Sequence, residues 1–111
     1  MLKQGSMLVT VAIFLFQSCT NDKFETDPCA TVSYEKTIQP LVNLKCAVYG
    51  CHVSGFLPGD FNRYEILKQK VDEGKLQLLV FELKTMPPVL KLTSEEAAIL
   101  KCWISHGAQP N

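Results

Sequence analysis

The sequence predicts a small all-α domain of three to five short helices joined by long loops. Three observations lead there. Apolar residues recur at helical spacing in several segments. The last such segment has its start and stop signals in place. The connections are rich in glycine and proline, and they are long enough that something other than helices is expected to fill the core.

The chain begins with a segment outside that fold. Lys3 supplies a positive charge, and Met7 to Phe16 form an apolar run. That run has signal-peptide length and falls short of the roughly 20 apolar residues needed to span a bilayer. Phe16-Gln17-Ser18-Cys19 then resembles the lipobox of bacterial lipoproteins. There the cysteine is acylated and becomes the first residue of the mature chain. Residues 1–18 are therefore expected to be a signal peptide, with Cys19 lipidated and residues 19–32 a tether. An ordinary secretory signal cut nearby is the alternative, and both imply export to the periplasm or cell surface, in an oxidising compartment. Removing 18 of 111 residues leaves 93, enough for one small domain spanning 33–111. The 11 basic and 11 acidic side chains balance, with no basic stripe, which argues against a nucleic-acid partner.

Within that domain a first helix is expected over Ser33 to Lys45. Tyr34, Ile38, Leu41, Val42 and Leu44 lie at roughly helical spacing. Pro40 has no backbone donor, so it divides the segment into a short first turn and a helix that delivers Cys46. Ser54 to Asp60 is a loop. A second helix is expected over 61–72, with Tyr64, Leu67 and Val71 as its stripe and Gly74 as its end. Lys75 to Leu83 reads as a third short helix, although Leu76 to Phe81 fits a buried strand by pattern alone. Lys84 to Pro88 is extended, because its prolines forbid regular structure. In the last helix Thr93 and Glu96 have capping-box spacing, Gly107 suits a C-terminal cap, and Ala97, Leu100, Trp103 and Ile104 share one face.

The chemistry is concentrated in Cys46-Ala47-Val48-Tyr49-Gly50-Cys51-His52. Two nearby thiols with a histidine directly after the second are what covalent haem attachment requires. The thiols add across the porphyrin vinyl groups, and the imidazole ligates the iron. The common form is C-x-x-C-H, whereas four residues separate these cysteines. A zinc site or a Cys46–Cys51 disulfide are the alternatives. Zinc would need a second ligand pair, which only His106 and scattered cysteines could supply. A disulfide would leave His52 unexplained. With Cys19 lipidated and Cys46 and Cys51 on haem, Cys29 and Cys102 remain, and export makes a disulfide between them the expectation against two free buried thiols. For a sixth iron ligand Met86 is the one methionine left after processing, and Pro87-Pro88 stiffen its loop. A gap-filling core role for Met86 is the alternative, and His106 is the runner-up ligand, whose place at the end of the final helix beside Gly107 points to exposure instead.

Over residues 33–111 the chain resembles a small class I c-type cytochrome domain of the exported lipoprotein type. The resemblance rests on Thr37-Ile38-Gln39-Pro40-Leu41, Cys46 through His52, Phe61-Asn62-Arg63-Tyr64, Met86-Pro87-Pro88, and Leu92 through Ala108. It implies a cytochrome c-like fold around one haem c, with Cys46 and Cys51 as thioethers and His52 and Met86 as axial ligands. It also implies a first and last helix packed together. Tyr64 and Trp103 are candidate packing partners for the porphyrin, with a plain core position as the alternative for either. The expected function is electron transfer to redox partner proteins by a membrane-tethered monomer, and not catalysis. A haem-based sensor or ligand-binding module is one alternative. A haem-free interaction domain held by Cys29–Cys102 is another.

Overall fold

The computed structural model describes residues 27–111. The expected signal peptide, the lipidated Cys19 and the tether up to residue 26 lie outside the described residues. The described chain is all-α, with four helices, two of them extended by wider π-helical turns, and long irregular connections.

The chain enters through a tight turn at Asp27, whose carboxylate accepts the Cys29 backbone N–H at 2.9 Å. Ser33 then caps the first helical segment, its hydroxyl accepting from Lys36 N at 3.2 Å. Tyr34–Ile38 is a π-helical turn that runs directly into α1, Gln39–Lys45. Pro40 sits in the first turn of α1, where a missing N–H is tolerated. The break expected at this proline is therefore a change of helical pitch, and the path of the chain continues through it.

The second helix, α2, is Tyr64–Asp72 and starts three residues later than the pattern suggested. Asp60 is the reason. Its side chain accepts from Asn62 N at 3.0 Å, and its carbonyl from Arg63 N at 3.2 Å. That turn holds 61–63 out of the helix and drops Phe61 into the core. Gly74, at φ 71°, ends α2 and reverses the chain into α3, Lys75–Gln77, which continues as a π-helical turn over Leu78–Glu82. The strand alternative for this stretch is thereby excluded. The fourth helix, α4, Ser94–Ser105, carries the reciprocal Thr93/Glu96 capping box, with bonds of 3.1 and 2.8 Å.

The core gathers around the meeting of the first and last elements. Tyr34 stacks on Trp103 with ring centroids 5.7 Å apart and meets the edge of Tyr64 at 5.1 Å. Both polar tips are satisfied by the C-terminal tail: Tyr64 Oη donates to Ala108 O at 2.8 Å and Trp103 Nε1 to Gln109 O at 2.9 Å. Asn111 closes the junction by accepting from Tyr34 N and Glu35 N at 3.1 and 2.9 Å. Ile38 and Leu67 are fully buried at the centre. Beside this junction Cys29 and Cys102 form a disulfide, with Cα atoms 5.1 Å apart across 73 residues of sequence.

A loop of that length gives a cross-link considerable leverage on the unfolded chain. The Cys29→Ser/Cys102→Ser double variant is expected to lose about 2–5 kcal/mol of stability, measured by urea denaturation. Leu67→Ala should cost about 2–5 kcal/mol through the cavity it leaves. A double serine variant as stable as the wild type would show that the aromatic junction alone suffices.

Candidate functional site

One side of this core is left unfilled. A cavity of about 570 Å³ lies between the helices and the two long loops. Val42 of α1, Leu67 of α2, Leu76 of α3 and Leu100 of α4 line it, as do Leu79 and Val80 of the turn after α3. The 46–61 loop contributes Cys46, Cys51, His52, Phe56 and Phe61, and the 84–92 loop contributes Met86, Pro87 and Pro88. The fold thus brings together the four residues that the sequence singles out.

Local hydrogen bonds place them. Cys46 N donates to Val42 O at 2.8 Å at the end of α1, and Cys46 O accepts from His52 N at 3.1 Å, closing the loop on itself. Cys46 and Cys51 are both free thiols and partly buried. Burial pushes the Cys46 thiol up to about 11, with the neighbouring Cys51 adding to the shift. The His52 ring lies flat on Phe61 at 3.8 Å and meets the edge of Phe56 at 5.3 Å. Its Nδ1 is 3.1 Å from Gly59 O, so Nδ1 carries the proton and Nε2 is the ring's remaining acceptor. Burial holds His52 below its ordinary value, opposed by the Gly59 bond, with the Lys70 charge adding to the lowering. Gly59 is required where it stands: its φ is 122°, and a Cβ there would meet Ile66 Cγ2 at 2.6 Å. Met86 is partly exposed, at 38%, and its N–H donates to Leu79 O at 3.2 Å.

No family model, no curated protein and no solved structure matches the chain. The haem expectation is overturned in this region. Among the described residues no three His, Cys, Asp or Glu side chains gather into a group that could hold a metal ion. The strict C-x-x-C-H motif is absent from the sequence, and the disulfide formed is Cys29–Cys102. A metal site needs several converging donors with its thiols ionised. Here His52 is the one imidazole at the cavity, and among the described residues no carboxylate joins it and the two thiols there. The resemblance to a c-type cytochrome, the haem c cofactor, its iron and the electron-transfer role are corrected accordingly, and the zinc alternative goes with them. The thioether roles expected of Cys46 and Cys51, and the axial roles of His52 and Met86, presuppose that cofactor. The structure presents these residues as the lining of an apolar cavity.

Two further placements decide between alternatives that the sequence left open. Trp103 and Tyr64 do not line the cavity, because they are committed to Tyr34 and the C-terminal tail. His106 is exposed, with Nε2 3.0 Å from Asp27 Oδ2 and Nδ1 2.9 Å from Cys102 O. These contacts raise it above the ordinary imidazole value, the Cys102 carbonyl most strongly. Among the described residues no helix is long and apolar enough to cross a membrane. The sequence reading missed Lys45, Lys70 and Lys75, which also line the cavity. A signal was present for Lys70, one turn after buried Leu67 and so on the same face of α2.

The thiol and imidazole environments have measurable consequences. At pH 8, alkylation of Cys46 is expected to be about 100-fold slower than that of an ordinary thiol, because its value is raised by two units. Rapid labelling of Cys46 in the folded protein would contradict its burial. The two histidines should act oppositely on stability between pH 7 and 5. His52 is depressed, so its contribution is present above about pH 6.5 and is lost on acidification; His52→Gln should flatten that decline. His106 is raised, so its contribution is full below about pH 6.5 and fades as the pH rises through its folded value; His106→Gln should steepen the decline. Denaturation midpoints across that range test both signs.

Proposed function

We propose that this chain is a haem-free interaction domain that holds an apolar ligand group in its open cavity. The observation carrying this reading is the cavity itself. Its volume of about 570 Å³ falls in the range of small-molecule sites, and its lining is leucine, valine, proline and phenylalanine with a few polar groups. A void lined by such side chains forgoes packing contacts that an apolar guest would restore. Two lining residues, Phe56 and Met86, are 39% and 38% exposed, so the site is reachable from solvent. In this reading the role is binding rather than catalysis, in keeping with burial raising the Cys46 thiol away from the range of a nucleophilic cysteine. This reading includes no nucleic-acid partner, in keeping with the balanced charge of the chain.

Nile red, an uncharged solvatochromic dye, is the direct probe. It should bind at a single site with a blue-shifted emission, and Leu79→Trp, which fills the cavity, should weaken it at least tenfold. Failure of the wild type to bind any apolar probe would remove the proposal. So would a porphyrin absorption band in protein matured through its own export route.

We also propose that the domain is exported and held at a membrane by lipid on Cys19, in keeping with the apolar run ending before that residue. The full chain should partition into detergent phase, and Cys19→Ala should release it. A wild-type protein wholly in the aqueous phase would leave export without a lipid tether.

A further inference from the structure

The electrostatics of the cavity narrow its ligand class, and this inference rests on the binding role proposed above. Among the described residues, the ionisable side chains lining the cavity apart from His52 and the thiols are Lys45, Lys70 and Lys75, and no carboxylate lines it. Lys45 is already matched, with Nζ 3.3 Å from Glu96 Oε2 and 3.1 Å from Lys91 O. Lys70 and Lys75 differ. They share one carboxylate, Glu73, whose Oε2 is 2.7 Å from Lys75 Nζ and 3.9 Å from Lys70 Nζ. Two ammonium groups against one acid leave a positive charge over.

The two lysines also sit where a guest's polar end would emerge. The Lys70 side chain is mostly covered, at 23% exposure, and the Lys75 side chain is open, at 60%. Such stems cover apolar surface while their charged heads stay near water. A guest buried among Leu67, Leu76 and Leu100 would therefore present its solvent-facing end to this pair.

We infer that the cavity takes an apolar carboxylic acid, its hydrocarbon body inside and its carboxylate at the Lys70–Lys75 pair. The site is exposed on one side, so the charge contributes selectivity rather than most of the affinity. The hydrocarbon supplies the binding, and the lysines choose an anion over a neutral molecule of the same shape.

Decanoate and 1-decanol, displacing Nile red from the full chain at pH 8 and low salt, form the test. The acid is expected to bind about 3–10-fold more tightly than the alcohol, in line with a pair of solvent-exposed charge contacts. Raising the salt should shrink that preference. The Lys70→Gln/Lys75→Gln double variant should abolish it, so that acid and alcohol displace the dye equally, and an unchanged far-UV circular dichroism spectrum reports that the variant is folded. Lys45→Gln should leave the preference intact. Equal binding of acid and alcohol by the wild type, or a preference that survives in the double variant, would overturn the inference and leave the apolar binding role standing. If neither compound displaces the dye and the dye itself does not bind, it is the underlying binding role that fails.

Discussion

The contact between the first and last helical segments is the constraint on which the domain depends. Tyr34 lies on Trp103, the tail after α4 folds back to accept hydrogen bonds from Tyr34 N and Trp103 Nε1, and Cys29–Cys102 closes the chain beside it. Few other contacts can do this work in so short a chain. A small domain buries a limited share of its surface, and a cross-link that restricts the unfolded chain offsets part of that shortfall. With the ends joined, α2 and α3 need only lean on the junction through Leu67, Val71 and Leu76.

That economy has a consequence on the opposite flank of the core. The helices are too short, and the 46–61 and 84–92 loops too long, to close the apolar space between them. The loops are nonetheless specified. Cys46, His52, Gly59 and Phe61 exchange backbone and ring hydrogen bonds, and Met86 and Thr85 both return to the Leu79 carbonyl. An ordered, apolar, open space is what a binding site requires, since the cost of organising it falls on folding and not on the ligand. Gly59 shows how tightly the loop is drawn, for no Cβ fits between it and Ile66.

Charge is arranged on the same principle of proximity. Burial keeps Cys46 and His52 uncharged inside, while the lysine ammonium groups remain near water with their stems against the apolar wall. The division between a neutral interior and a cationic margin is what turns an apolar space into one with a preferred ligand orientation.

Helix identity was written in the sequence by local means. The Thr93/Glu96 capping box, the Leu67/Val71 stripe and Gly74 act within one or two turns of themselves, so their effect is visible before any tertiary contact is known. The same locality explains the misjudgements. The turn at Asp60 depends on its side chain and its carbonyl each taking one backbone donor, and the 76–81 stretch fits two periodicities that only neighbouring helices can separate. The Cys46–His52 cluster was the most visible feature of the sequence and misled about chemistry, because residue type and spacing carry no information on how many donors converge. That several chemistry-bearing residues would surround one cavity, that Trp103 would turn away from it and that Lys70 and Lys75 would line it were decided by how the four helices and the two long loops pack. The sequence by itself determined which segments coil and where they stop. Only the tertiary structure decided what those segments enclose, since enclosure is set by contacts between residues far apart in the chain.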